Sequence, residues 1–339
     1  MNYPTKSFVF TLLLLSIAQY VVAQVQATEV ITVSERANTG ELLIPRYGLS
    51  AATDGEWIYV YGGSPIGKRN GKDFMQAGLE ASIERIDPVT LQSEYFGGGL
   101  YRRANHASIY SDKKLISCGG RTQVGLTRDK LSACEYLEFE TDVYRELPAL
   151  PEAVRTLGMA QVEQYIYVVG GVLDGPNYSS KTYRLDLQEK QWERLPDAPF
   201  PVSGMLIAVK EDLYAIGGYN GAAMKTVMVF NTNSLQWERR KDLPYPFSAF
   251  SAISDGTSIF IFGDYVKKGA IHRYDIKKGD LYLLEETITP RRHTAAVLVA
   301  GRAIVLGGNQ SSAGLALSTI EAFDLTTLYQ GKQQIIEEP

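Results

Sequence analysis

The sequence predicts an all-β fold in which six repeated units form a β-propeller. Short apolar strands each end in a glycine pair or a close variant of it, and the first glycines are residues 62, 119, 170, 217, 263 and 307. The intervals between them are 57, 51, 47, 46 and 44 residues. A period of about 40–50 residues with several strands in each unit is typical of propeller blades. The 339 residues, 45% of them hydrophobic, are enough to close one domain built from such repeats.

Each unit shows the same order of features. A first strand follows a proline or arginine, as at Pro45-Arg46, and leads into a tight turn such as Asp54-Gly55. The apolar second strand ends in the glycine pair, where glycine permits a positive φ. A third strand ends in an acid or amide, as at Asp186. The fourth strand carries a large aromatic side chain that we expect to pack between sheets, at Tyr95, Tyr144, Trp192, Trp237 and Tyr282.

These features resemble the kelch-repeat family over about residues 45–326. The glycine pair, the acid or amide of the third strand and the tryptophan six residues later carry the resemblance, as from Asp186 to Trp192 and from Asn231 to Trp237. Repeat five departs from the pattern with Gly263-Asp264, and repeat six lacks an obvious fourth-strand aromatic. The resemblance implies a six-bladed kelch β-propeller with four-stranded antiparallel blades.

A terminal strand is expected to close the ring of blades. Residues 30–34 (VITVS) are the favoured candidate to complete blade six, and residues 334–337 are the alternative. The predicted domain limits are 24–44 for an N-terminal arm with the closing strand, 45–326 for the blades and 327–339 for a C-terminal tail.

Residues 1–23 have the pattern of a secretory signal peptide that is cleaved after Ala23. Lys6 precedes an apolar stretch from Phe8 to Tyr20, and a small residue stands before Gln24. A membrane anchor is the alternative, but the apolar stretch is shorter than the ~20 residues that a span requires. The sequence therefore predicts a secreted or periplasmic protein without stable membrane insertion.

Charge and motifs argue against several classes of function. The 34 basic residues include one in the predicted signal peptide, so the remaining 33 basic and 38 acidic residues give a net charge of −5. A mildly acidic chain is a poor candidate for binding nucleic acid. Gly62 to Lys68 fits the spacing of a phosphate-binding loop, but Arg69 stands where that loop needs Ser or Thr. With three histidines and no metal motif, the sequence predicts no metal site and no cofactor, and it identifies no catalytic residue.

Cys118 and Cys134 lie in the same repeat, on strands expected to be neighbours. Export permits a disulfide between them. Adjacent strands often give poor geometry for such a bridge, so a pair of buried thiols is the alternative.

Alignment of the repeats on their glycines predicts a ligand site near the propeller axis. It places six residues in one layer: Arg46, Arg103, Arg155, Val202, Phe247 and Arg291. His106 and His293 follow two or three residues later on the innermost strands. The expected pocket is cationic on one side and apolar on the other, and its predicted ligand-binding residues are Arg46, Arg103, Arg155, Arg291, His106, His293 and Phe247. The alternative is that these arginines are structural and bind neighbouring carbonyls or acids.

Arginine side chains bind carboxylate and phosphate oxygens in a bidentate manner. The sequence therefore favours a binding module for a small anionic ligand, such as a sugar acid, or for an acidic peptide or protein partner. The alternative is a sugar-acid mutarotase or epimerase, because the architecture is similar to that of exported kelch proteins that act as sialic acid mutarotases. No motif transfers active residues from those proteins to this chain.

Overall fold

The computed structural model describes residues 38–69, 72–75, 79–124, 127–311 and 315–337. These residues form six antiparallel sheets of four or five strands and two separate two-stranded hairpins. The innermost strand of each sheet contacts the innermost strands of the sheets before and after it, and the sixth contacts the first. The predicted six-bladed β-propeller is thereby confirmed.

The strands are numbered β1 to β29 in chain order, and β1 (Thr39–Glu41) precedes the first blade. Blade one contains β2 (Ser50–Thr53), β3 (Ile58–Tyr61), β6 (Ser82–Ile86) and β7 (Ser93–Gly98), with the added hairpin β4 (Ile66–Arg69) and β5 (Lys72–Met75). Blade two contains β8 (Ala107–Ser111), β9 (Lys114–Cys118), β12 (Cys134–Glu138) and β13 (Val143–Leu147), with the added hairpin β10 (Arg121–Val124) and β11 (Thr127–Lys130). Blade three contains β14 (Gly158–Val162), β15 (Tyr165–Val169), β16 (Thr182–Asp186) and β17 (Gln191–Leu195).

The remaining blades follow the same order from the axis outwards. Blade four contains β18 (Ile207–Val209), β19 (Asp212–Ile216), β20 (Val227–Asn231) and β21 (Gln236–Arg239). Blade five contains β22 (Ser251–Ser254), β23 (Ser258–Phe262), β24 (Ala270–Asp275), β25 (Leu281–Thr287) and β29 (Gln333–Ile335). Blade six contains β26 (Ala295–Val299), β27 (Arg302–Leu306), β28 (Thr319–Asp324) and β1. The helix α1 (Leu325–Gln330) joins β28 to β29.

Both ends of the described chain add a strand to the propeller. Strand β1 pairs with β28 and is the outer strand of blade six, so an N-terminal strand closes the ring. This strand is Thr39–Glu41, and the favoured candidate at residues 30–34 lies outside the described residues. The C-terminal β29 pairs with β25 and is a fifth strand of blade five. The C-terminal alternative therefore does not close the ring.

The aromatic side chains of the fourth strands mostly behave as predicted. Trp192 of blade three donates its indole N–H to the Pro148 carbonyl at 2.8 Å, and Trp237 of blade four donates to the Pro196 carbonyl at 3.0 Å. Each ring thus contacts the blade before its own. Tyr95 is an exception, because its side chain is 67% exposed. The inter-blade role predicted for Tyr95 is wrong.

Cys118 and Cys134 form a disulfide, and both residues are buried. They stand directly opposite each other in the pairing of β9 with β12. This decides the choice between a bridge and two thiols that the sequence left open.

No described helix is long and apolar enough to cross a membrane.

We expect the double substitution Cys118→Ala/Cys134→Ala to lower the free energy of unfolding by about 2–4 kcal/mol, because the bridge closes a loop with a sequence separation of 16 residues. Urea denaturation of the variant and of the wild type measures this loss. Wild-type protein treated with reductant in urea is the control and should show the same midpoint as the variant. Labelling of two thiols in unreduced, denatured wild type would contradict the prediction.

Candidate functional site

Three of the predicted site arginines are fully buried inside their own blades. Each donates an Nη1 hydrogen to the carbonyl of the glycine that directly follows the second strand, with Arg46 bonding Gly62 at 3.1 Å, Arg103 bonding Gly119 at 2.9 Å, and Arg291 bonding Gly307 at 3.0 Å. Each also forms an ion pair with a glutamate of the third strand, namely Glu84, Glu135 and Glu321 respectively. The geometry favours the structural alternative for these three arginines.

The other three blades place different pairs at the same two positions. In every blade the glutamate position lies on the third strand. It pairs with the second-strand residue that stands two positions before the first glycine. Blades three, four and five have Tyr183, Met228 and His272 at this position. In blade five, Phe247 takes the place of the arginine and lies 5.0 Å from the His272 ring. Phe247 is fully buried and is not among the described residues that line the central cavity.

Arg155 belongs to a different layer from the one predicted. The second glycine of each pair donates its N–H to the backbone carbonyl of the layer residue in the next blade. Gly63 donates in this way to Arg103, and Gly120 donates to Val154. Val154 is therefore the layer residue of blade three, and the predicted alignment is wrong there by one residue. Arg155 is equivalent to Arg292, since both form a bridge with the residue after the glycine pair.

A cavity of about 690 Å³ lies at the axis and is lined by all six blades. One residue from each blade belongs to a ring around this cavity, which we call the axial ring: Gly48, Asn105, Thr156, Gly204, Ala249 and His293. Backbone hydrogen bonds join these residues in the order Ala249, His293, Gly48, Asn105, Thr156 and Gly204. The N–H of Asn105, for example, donates to the Gly48 carbonyl at 2.7 Å. All of these residues except Gly204 have a positive φ. Positive φ is unfavourable for a β-branched residue such as Thr156, and such strain concentrates at functional sites.

The charged side chains around this cavity are arginines. Arg155 lines it, and no described lining residue is an Asp or Glu. Arg292 is 4% exposed, and its guanidinium lies 4.2 Å from the centre of the Tyr265 ring. Within the described part of the chain, neither of these arginines has a carboxylate partner, and Nε of Arg292 has no hydrogen-bond partner. Arg121 donates its Nε–H to Oδ1 of Asn105 at 3.2 Å.

The two predicted site histidines both line the cavity. His106 is 7% exposed, and neither ring nitrogen has a partner among the described residues. Burial and the nearby Arg103 hold the pKa of His106 well below its usual value. Burial, with smaller contributions from Arg292 and Arg121, also lowers the pKa of His293, whose Nδ1 lies 3.1 Å from Oδ1 of Asn309. Both imidazoles are neutral at pH 7, so arginines supply the positive charge of the site.

The structure therefore brings Arg155, His106 and His293 to the cavity and keeps Arg46, Arg103, Arg291 and Phe247 away from it. Sequence reasoning missed Arg292, which directly follows one of the predicted residues, and it missed Asn105 and Thr156 of the axial ring. The sequence does contain a signal for the axial ring. In blades one, two and six, the axial-ring residue stands two positions after the buried arginine. Among the described side chains, no group of three or more His, Cys, Asp or Glu could hold a metal ion.

We expect His106→Leu to raise the free energy of unfolding by about 1 kcal/mol, because a buried polar group without partners is unfavourable. Blades one and three already have leucine at the equivalent position, Leu49 and Leu157. Urea denaturation provides the measurement. His293→Leu is the control and should lower stability, because it removes the hydrogen bond to Asn309. A loss of more than 1 kcal/mol in His106→Leu would refute this account of His106.

Six antiparallel blades around a cavity that all of them line define a β-propeller with a central site. The family model described as "Kelch motif" matches residues 155–199 and 206–244, which cover blades three and four. Blades three and four therefore carry kelch repeats.

Several known proteins are similar to this chain. α-Scruin of Limulus polyphemus is 32% identical over 151 residues, covering 42% of this chain and 16% of the scruin. The kelch-like protein terF of Aspergillus terreus is 28% identical over 207 residues, covering 57% of this chain and 44% of terF. The chain thus spans less than half of these curated relatives. The solved structure of YjhT has a TM-score of 0.71 at 13% identity, covering 89% of this chain and all of YjhT, and this likeness shows the fold.

Proposed function

We propose that this protein is a binding module that holds a small organic anion in its central cavity. Kelch propellers commonly serve as protein-binding modules. The observation that carries the proposal is Arg155 in the lining of a cavity whose described lining includes no acidic side chain. Arg292 lies behind this lining, with its guanidinium against the ring of the lining residue Tyr265. A carboxylate or phosphate of a ligand would supply the partner that the described part of the chain does not provide.

The energetics support this occupant. A hydrogen bond to a charged group contributes about 1.5–3 kcal/mol, and a guanidinium can form two of them with one carboxylate. A cavity of about 690 Å³ is within the usual range for small-molecule sites. A sugar acid or the carboxylate of an acidic peptide would use the same arginines. We further propose that the protein acts outside the cytoplasm, because residues 1–23 have the pattern of a cleaved signal peptide.

We expect Arg155→Met and Arg292→Met each to weaken anion binding by about 10- to 100-fold, because each removes one charge-assisted contact. A thermal-shift screen with glucuronate, N-acetylneuraminate and 4-phenylbutyrate finds the anion, and calorimetry then measures its dissociation constant. Binding should weaken as salt is added.

The matched control is Arg145→Met on β13, the outer strand of blade two. It removes the same charge from an exposed site and should leave affinity unchanged. Unchanged affinity in both cavity variants, or no anion that raises the melting temperature, would reject the proposed function.

His293 favours a second candidate function, a sugar-acid mutarotase. It is a neutral imidazole that lines the cavity and is oriented by Asn309, which suits a general base. Its lowered pKa means that the basic form, and with it the activity, should persist below the usual histidine pKa and fall only at more acidic pH. Anomer exchange of N-acetylneuraminate measured by NMR, with His293→Gln as the comparison, tests this candidate. Binding without accelerated exchange would leave the binding module as the function.

A further inference from the structure

We infer that the anion bound in the central cavity has an apolar body, such as an aryl or alkyl chain, and is not a polyhydroxylated sugar acid. The inference rests on the proposed function, since it concerns the ligand of that same cavity. It is carried by a difference between the two sides of the cavity.

Polar residues are concentrated on blades six, one, two and three. The axial ring carries His293, Asn105 and Thr156 there, and Arg155 and Arg292 belong to the same blades. A charged head group therefore has its partners on this side of the cavity.

The wall formed by blades four and five offers mainly apolar groups. Gly204 and Ala249 take the axial-ring positions, and Met205 and Phe250 follow them. At the mouth of the cavity, Val266 is 77% exposed. An apolar ligand group that covered this valine would remove apolar surface from water, which is favourable.

Two polar side chains on this side of the cavity already have partners inside the protein. The Ser203 hydroxyl donates to the Tyr219 carbonyl at 3.1 Å. Asp264 is buried, and its carboxylate accepts the N–H groups of Ser248 at 3.1 Å and Lys267 at 3.2 Å. Asp264 is also not among the described lining residues.

Ligand hydroxyls placed against Met205, Phe250 or Val266 would lose their bonds to water without replacement, which is unfavourable. An apolar body on the same wall would gain from leaving water. We accordingly expect the protein to bind 4-phenylbutyrate at least 10-fold more tightly than glucuronate, which also carries a single carboxylate.

Calorimetry on the full protein tests this preference with two wall variants. Ala249→Asn copies the residue that blade two has in the axial ring, and Asn tolerates a positive φ. Val266→Ser changes an exposed side chain, so neither variant should impair folding. Both should weaken 4-phenylbutyrate binding at least threefold and leave glucuronate binding equal or tighter, whereas Arg155→Met should weaken both ligands.

The possible failures are distinguishable. If glucuronate binds as tightly as 4-phenylbutyrate and still depends on Arg155, the inferred ligand class is wrong and the proposed function stands. Wall variants that leave 4-phenylbutyrate affinity unchanged also overturn the inference. If neither carboxylate binds, the inference and the proposed function fail together.

Discussion

Replacement of Arg291 by valine is expected to lower the free energy of unfolding by about 3–5 kcal/mol, because it leaves the mostly buried carboxylate of Glu321 without its cation. It also removes the Nη1 bonds to the carbonyls of Gly307, at 3.0 Å, and Thr319, at 3.1 Å. The double variant Arg291→Val/Glu321→Met should recover most of the loss. It copies the pair Val202 and Met228, which blade four has at the same two positions.

Urea denaturation of the wild type, the single variant and the double variant measures these differences. Arg194→Val is the matched control, because Arg194 forms an exposed ion pair with Asp197 and should contribute less than about 1 kcal/mol. If the single variant is as stable as the wild type, the buried pair does not hold the blade together. A double variant no more stable than the single one would show that the blade-four pair does not fit blade six.

Gly170→Ala should be as severe, with a loss of about 4 kcal/mol or more, or no folded protein. Gly170 has a φ of +65°, and an added Cβ would lie 2.0 Å from the Val202 carbonyl oxygen of the next blade. That oxygen also accepts the N–H of Gly171 at 2.8 Å, so it cannot move away without breaking a bond between blades. The glycine pair is thus required by the contact between blades as well as by the turn.

Gly175→Ala separates these two requirements. Gly175 has a similar φ of +59°, but an added Cβ there has no atom within 4 Å. Its substitution should cost only the ~1–2 kcal/mol of a left-handed alanine. Thermal and urea denaturation of both variants give the comparison, and equal losses would mean that backbone conformation alone explains the glycine at position 170.

The sequence was a good guide to the blades and a poorer guide to the site. The number of blades follows from the period of the glycine pairs. These glycines have a positive φ and approach the next blade closely, and other residues do not tolerate this combination. The arginine layer is harder to predict, since a shift of one residue along a strand turns a side chain to the opposite face. Arg155 precedes Gly170 by the same 15 residues that separate Val202 from Gly217, whereas Arg46 precedes Gly62 by 16.

Between its layer residue and its first glycine, blade four is one residue shorter than the neighbouring blades. The spacing alone does not reveal which blade has the shorter segment. The hydrogen bonds between blades resolve it by placing Val154 in the layer. The buried glutamates were missed for a related reason. Glu84, Glu135 and Glu321 meet their arginines only through the pairing of the third strand with the second, which joins residues 30 or more positions apart. The arginines beside the cavity, Arg155 and Arg292, belong to the layer that follows the predicted one.

Closure by β1 has a consequence for biogenesis. The first strand of the propeller to be synthesised pairs with β28, which belongs to the last blade to be synthesised. Folding of the ring therefore cannot be completed until nearly the whole chain has been released, because contacts so distant in sequence form late.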